Sequence, residues 1–133
     1  MKLINFILLF FYFSYADTTI VAFDEVHQSF GSLGNNRTVI DTIQFPLSNS
    51  NFSQITMNVN LECPDGGCDP WDRKAKISVM HVGEWYEIGR YVTPYGVECG
   101  WTFDVTDYRS ILEGEVPAAA REGGPTPTDV LGH

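Results

Sequence analysis

Gln54–Glu62, with the sequence QITMNVNLE, decides the fold of this chain. Apolar residues at 55, 57, 59 and 61 alternate with polar residues at 56, 58, 60 and 62, so one face is apolar and the other is polar. Because successive side chains of a β-strand point to opposite faces, this period of two predicts a half-buried strand.

Similar patterns recur on both sides of this segment. Further strands are predicted at Ile20–Phe23, Thr38–Phe45, Ala75–Val82, Trp85–Val92 and Trp101–Val105, with a hairpin at the connector Gly83–Glu84. One short helix is predicted, with Thr106 as its N-cap, Asp107–Leu112 as its body and Gly114 at its end. About six short strands separated by turn-forming residues are typical of an all-β, antiparallel sandwich or barrel.

The first sixteen residues have the composition of a secretory signal peptide. A positive end at Lys2 precedes the apolar run Leu3–Phe13, and small residues stand at Ser14 and Ala16. We therefore expect residues 1–16 to be a signal, with cleavage between Ala16 and Asp17 and secretion of the mature chain. The apolar run is shorter than the roughly 20 residues that a membrane span needs, so no span is expected after cleavage.

The segment after Glu115 has no period of either kind. It contains Pro117, Pro125 and Pro127 and is rich in Ala, Gly and Thr. The sequence therefore predicts one domain at residues 17–115 and a disordered tail at residues 116–133.

The charge of the chain limits its partners. The net charge is −9, with 17 acidic and 8 basic residues. A phosphate backbone attracts basic surfaces, so nucleic acid is not expected as a partner, whereas a neutral ligand such as a sugar is compatible. His27, His81 and His133 are scattered and form no metal-binding pair, which argues against a copper or zinc centre.

Cys63 and Cys68 flank the turn-forming tetrapeptide Pro64–Gly67. A disulfide between them would fix the residues that follow, whereas a metal knuckle would need further Cys or His ligands that are not nearby. Cys99 is left over, either as a buried thiol or with a partner elsewhere.

Two sequons, at Asn36 and Asn51, predict surface loops and are candidate glycosylation sites.

Residues 71–73 have the sequence Trp-Asp-Arg and are separated from the cysteine loop 63–68 only by Asp69 and Pro70. The carboxylate of Asp72 can orient and deprotonate a water molecule for attack on a carbonyl carbon. Arg73 could hold a substrate oxygen, and Trp71 could pack against a sugar ring. Each also has a structural interpretation, because Asp–Arg pairs often lock loops and tryptophan is usually part of the core.

Three ordered blocks, at residues 62–73, 83–95 and 104–112, resemble the amino-terminal domain of the peptide:N-glycosidase F family. This is a family of secreted amidases that remove Asn-linked glycans. The resemblance implies two eight-stranded antiparallel jelly rolls with the glycan cleft between them. It implies that water hydrolyses the amide joining N-acetylglucosamine to asparagine, without a metal or other cofactor.

The resemblance also assigns roles to residues of this chain. Asp72 stands at the place of the catalytic carboxylate, and Arg73 at the place of an arginine that contacts the substrate, an N-glycan or glycoprotein. Cys63 and Cys68 stand where the family has a disulfide.

The chain departs from the family pattern after Gly114. A functional glutamate of the next strand has no counterpart that the sequence identifies, since Glu115 and Glu122 do not match its position. The second jelly roll has no counterpart. The expectation is therefore an incomplete jelly-roll homologue that is inactive alone for want of a second domain. The alternative is a non-catalytic module that binds glycans or another partner.

Overall fold

The computed structural model describes residues 17–29, 36–47 and 52–123. The predicted signal peptide, the sequon asparagine Asn51 and residues 124–133 of the predicted tail lie outside these ranges. The elements, in chain order, are β1 (Thr38–Phe45), β2 (Thr56–Leu61), β3 (Lys74–His81), β4 (Glu84–Val92), β5 (Cys99–Asp104), a 3-10 helix (Thr106–Ile111) and β6 (Gly114–Glu122).

The strands form two antiparallel sheets. The larger sheet has the order β1-β6-β3-β4, and the smaller one pairs β2 with β5. The predicted all-β antiparallel sandwich is thus confirmed, as is the presence of one short helix. No helix among the described residues is long and apolar enough to cross a membrane.

The core lies between the two sheets. Its first cluster joins the larger sheet to the 3-10 helix region through Ile43, Val79, Val105, Leu112, Val116 and Ala118. A second cluster, Ala75, Ile77 and Tyr91, packs against β2 and β5, and the Tyr91 ring lies 4.5 Å from that of Trp101. The second cluster is therefore next to the loop between β2 and β3, which carries the candidate site.

The hairpin between β3 and β4 turns at Val82 and Gly83, one residue before the predicted connector. Both residues have positive φ, at 50° and 79°. A two-residue hairpin of this kind needs left-handed backbone at both positions, because only that twist matches the twist of the strands.

Two predicted local elements are corrected. Ile20–Phe23 is not a strand, although Ala22 and Phe23 pack against the first core cluster without a backbone ladder. The helix is of the 3-10 type and begins at Thr106, which does not act as its N-cap. The Thr106 hydroxyl instead contacts Asp104, and it accepts a bond from the backbone N–H of Ile55 at 2.9 Å, which fixes the helix to the start of β2.

The largest correction concerns the predicted tail. Residues 116–122 belong to β6, which lies between β1 and β3 and buries Val116, Ala118 and Ala119. The prediction failed because alanine suits both faces of a doubly flanked strand and shows no period. Pro117 is tolerated because it lies one residue beyond the last β3–β6 pair, Val79 with Ala118, so its missing N–H costs no bond to β3.

Candidate functional site

The loop between β2 and β3 is closed by the Cys63–Cys68 disulfide, which confirms that prediction. The two Cα atoms are 4.5 Å apart, and the Gly67 N–H donates to the Pro64 carbonyl at 3.0 Å. Gly66 and Gly67 have φ values of 107° and 103°, which side chains with a Cβ rarely adopt. The two glycines therefore allow the turn that brings the cysteines together.

Arg73 forms an ion pair with Asp69, so the Asp–Arg pair that locks this loop includes Asp69. The Arg73 Nε lies 2.6 Å from Asp69 Oδ2, and Asp69 Oδ1 accepts from the Trp71 N–H at 3.0 Å. The hydrogen bond from Arg73 is the main cause that lowers the pKa of Asp69, partly opposed by desolvation. Asp69 is thus an ionised anchor that holds the loop 69–73 in shape.

The same loop is joined to the segment that follows β4. Thr93 is buried, and its hydroxyl accepts from the Arg73 N–H at 2.9 Å while its own N–H donates to the Arg73 carbonyl at 2.8 Å. The Gly96 N–H donates to the Asp69 carbonyl at 3.0 Å. These bonds fix the backbone on both sides of Asp72.

Asp72 itself is exposed, and its carboxylate interacts with the Tyr95 hydroxyl. This interaction, followed by the charge of the carboxylate, raises the pKa of Tyr95. Asp72 and Tyr95 therefore form a polar pair at the surface of the loop, on a backbone that is otherwise tied down.

Two aromatic rings lie open at this site. Trp71 is 61% exposed and Tyr95 is 62% exposed. The interpretation of Trp71 as a core residue is therefore wrong, and the ring remains available to a ligand.

Glu122 joins the site from the end of β6 and was missed by the sequence analysis. It is 7% exposed, and burial raises its pKa, against the attraction of Arg73 and with the repulsion of Asp69. Burial raises the pKa of Tyr91 to about 12, and the charges of Glu122 and Cys99 contribute further. Glu122 follows Ala118 and Ala120 in steps of two, and that inward register would have identified it had β6 been recognised.

Other predicted residues lie apart from this loop. Asn36 is exposed and its side-chain amide donates to the His27 carbonyl at 3.0 Å. Cys99 is a free, partly buried thiol whose pKa is raised by burial. A broad polar concavity lined by Ser53, Gln54, Asp104, Thr106 and Asp107 lies at the opposite end of β2 and β5 from the loop. The described residues include no cluster of three His, Cys, Asp or Glu side chains suited to a metal ion.

The arrangement fixes a hydrogen-bond acceptor, the Asp72 carboxylate, at a solvent-exposed surface. The disulfide, the Asp69–Arg73 pair and Thr93 fix the backbone, so the Asp72 carboxylate points from a rigid frame to a region flanked by exposed rings. Fold and site together define an antiparallel β-sandwich that presents a positioned carboxylate on a disulfide-closed loop.

Comparisons with known proteins agree with this description. The chain is 42% identical, across 74% of its length, to peptide-N(4)-(N-acetyl-beta-D-glucosaminyl)asparagine amidase F of Elizabethkingia miricola, of which it covers 30%. A crystal structure of this kind of amidase superposes with a TM-score of 0.71 at 38% identity, over 77% of this chain and 35% of that one. The structure of PNGase F, a glycosylasparaginase from Flavobacterium meningosepticum, gives a TM-score of 0.68 at 36% identity, over 79% of this chain and 37% of that one. No protein-family profile matches the chain.

The chain is therefore a homologue of part of peptide:N-glycosidase F and has the β-sandwich fold of that part. It spans about a third of the length of the relatives it matches.

Proposed function

We propose that this chain carries the carboxylate half of an N-glycan amidase site, with Asp72 as the catalytic residue. The reaction is hydrolysis of the amide that joins N-acetylglucosamine to asparagine, which leaves aspartate and a glycosylamine. Asp72 orients a water molecule and accepts its proton as the water attacks the amide carbonyl. The homology to an amidase of this specificity supports the assignment.

The observation that carries the proposal is the way Asp72 is held. Its backbone is fixed on both sides by hydrogen bonds to Thr93 and Gly96, its carboxylate interacts with the Tyr95 hydroxyl, and it remains exposed. Structural aspartates that lock loops are engaged with the backbone or with a cation, as Asp69 is here. Asp72 is thus the acid that the loop presents outward, while Asp69 stabilises the loop.

Arg73 and Trp71 are assigned to substrate binding. The Arg73 Nε donates to Asp69, which fixes the guanidinium plane beside the loop, next to Asp72 in sequence. Trp71 offers an exposed indole on which the apolar face of a sugar ring can pack.

We expect these 133 residues alone to bind a glycan without hydrolysing it. The site is open to solvent, so a second domain is needed to close over the substrate and exclude water. Secretion after cleavage at Ala16 belongs to the same proposal.

The test uses the purified chain with a chitobiosyl-asparagine glycopeptide, which is followed both by mass spectrometry and by titration calorimetry. We expect binding without glycan release, and Asp72→Asn is expected to weaken binding while Asp65→Asn, an exposed acid of the same loop, leaves it unchanged. Glycan release that Asp72→Asn abolishes would confirm the catalytic role and overturn the inactivity. Unchanged glycan binding by Asp72→Asn would show that the Asp72 carboxylate is not part of the binding site.

A second candidate function is a non-catalytic glycan-binding module. The exposed rings of Trp71 and Tyr95 favour it, because exposed aromatic residues around a rigid polar loop suit sugar recognition. Binding that survives Asp72→Asn but is lost in Trp71→Ala would select this function.

A further inference from the structure

The face of the larger sheet that points away from β2 and β5, called here the outer face, carries most of the positive charge of the described residues. Core residues Ala75, Ile77 and Val79 of β3 point inward, as does Ala120 of β6. Their neighbours in the strands therefore point outward. The outward cations are Lys74, Lys76, Arg90 and Arg121, which are four of the seven lysines and arginines in the described ranges.

Three of these cations form one row across the sheet. Lys76 is paired in register with Arg121 on β6 and with Arg90 on β4. Like charges directly opposite each other on neighbouring strands are destabilising. In a chain of net charge −9, such a row is unlike the rest of the molecule.

The acids of the outer face compensate this row only at one side. Glu87 accepts from Arg90 at 2.7 and 2.8 Å, and that hydrogen bond, with further attraction from Lys76, lowers the pKa of Glu87. The other outward acid of the strands, Glu115, is six residues from Arg121 along β6 and so about 20 Å away. Among the described strand residues, the acids of the outer face therefore leave the Arg121 side of the row without a neighbouring counter-charge.

Arg121 also has unmet hydrogen-bonding capacity. Its Nε and Nη1 are buried and have no hydrogen-bond partner. The third such atom in the described residues, Trp85 Nε1, is also a donor and lies on the same face, because Trp85 pairs with the outward Met80. A buried donor without an acceptor costs about 1–3 kcal/mol, and more when it is charged.

We propose that Arg121 and Lys76 form a binding site for a small oxyanion of the phosphate or sulfate class on the outer face. Such an anion supplies acceptors to the orphaned guanidinium nitrogens. It also neutralises the repulsion between the two opposed cations, which no side chain of the described strands does at this point. Both residues as a whole are partly exposed, so an anion can approach them from solvent, but the Arg121 Nε and Nη1 atoms are themselves buried, so binding requires the guanidinium to turn toward the anion. The site is separate from Asp72 and would exist whether or not the chain binds glycans.

The test compares the thermal midpoint of the full chain in phosphate with that in chloride at equal ionic strength. A ligand that binds the folded state raises the midpoint in a saturable way. We expect this rise in the parent chain and in Lys74→Gln, an exposed outer-face control, and no rise in Arg121→Met. In chloride alone Arg121→Met is expected to be at least as stable as the parent, because it removes a buried donor that has no partner. Equal responses to phosphate and chloride in the parent, or a full phosphate response in Arg121→Met, would overturn the site.

A second variant guards against misfolding of the first. Lys76→Gln keeps the guanidinium and is expected to weaken phosphate binding roughly tenfold, as the loss of one charged hydrogen bond would. Backbone amide signals of residues 76 and 121 should move on phosphate addition, whereas those of residues 69–73 should not. Movement confined to residues 69–73 would place the anion at the Arg73 loop and contradict the proposal.

Discussion

Asp69 and Arg73 are joined by an ion pair of 2.6 Å that spans the Trp-Asp step. The two side chains are 35% and 25% exposed, so the pair is partly screened by solvent. Its main effect is geometric, because it closes the loop through side chains while Thr93 and Gly96 close it through the backbone. The acid nearest to Arg73 in sequence is thereby left to face outward.

The first prediction concerns this pair. Asp69→Asn should reduce the free energy of unfolding by less than about 1 kcal/mol, since partly exposed ion pairs contribute little. The variant should reduce the free energy of glycan binding by more than it reduces the free energy of unfolding. Because the folded pKa of Asp69 is lowered, its contribution is present above the unfolded pKa and is lost as the pH falls below about 4. Urea titrations from pH 3 to pH 7 measure this, with Asp65→Asn as the control. A loss that grows toward acid pH would contradict the assignment.

Glu122 gives the opposite pH dependence. Burial raises its folded pKa, so the buried carboxyl favours the folded state most at low pH, and this advantage is lost as the pH rises from the unfolded value of 4.5 through the folded pKa. Glu122→Gln should therefore raise the urea midpoint at pH 7, and its effect should shrink below pH 4.5. If the variant is less stable than the parent at pH 7, the attraction to Arg73 outweighs desolvation.

The disulfide provides a third prediction. The double variant Cys63→Ser/Cys68→Ser should lose about 2 kcal/mol of unfolding free energy, as expected for a small closed loop. Cys99→Ser should keep the bridge, because Cys99 is the free thiol. Intact mass with and without alkylation reports the number of free thiols. Three reactive thiols in the unreduced folded chain would show that the bridge does not form in solution.

Tyr95 reports on Asp72 directly. Asp72→Asn should lower the pKa of Tyr95, because the charge and hydrogen bond that raise it are removed or weakened. The pKa of Tyr91, raised to about 12 mainly by burial, should not change. Tyrosine ring carbons followed by NMR across alkaline pH distinguish the two residues. An unchanged Tyr95 would mean that the pair does not persist in solution.

Gly89 tests the packing of the two sheets. A Cβ at this position would lie 2.5 Å from Met57 Cε and 3.5 Å from the Phe103 ring. Gly89→Ala should therefore destabilise the sandwich by roughly 1–3 kcal/mol, measured by urea unfolding. In a Met57→Ala background the clash is absent, so Gly89→Ala should cost less unfolding free energy there than it costs in the parent chain. Additive losses would show that the clash is relieved elsewhere.

Much of the sandwich could be predicted from the sequence. β1 was predicted with its observed bounds, and β2 to β5 were found within about two residues, because half-buried strands alternate between apolar and polar side chains. β6 was not predicted because it is paired on both sides and contains three consecutive alanines, which show no alternation between apolar and polar residues. Ile20–Phe23 was wrong for the reverse reason, since its apolar side chains enter the core without strand pairing.

The candidate site was predicted only in part. The disulfide followed from the spacing of Cys63 and Cys68, and the exposed carboxylate from the residues after it. The partner of Arg73 could not be predicted, because it depends on how the loop doubles back to place Asp69 rather than Asp72 beside the guanidinium. Glu122 lies 49 residues after Arg73 in sequence, and only the β3–β6 pairing brings the two ends together.

The position of β6 has a consequence for synthesis of the protein. β1 is paired solely with β6 among the described strands, although 68 residues separate the end of one from the start of the other. While the ribosome is still synthesising residues 46–113, both edges of β1 have no strand partner. A nascent chain halted before Gly114 would therefore offer that strand to chaperones or to its neighbours on the polysome.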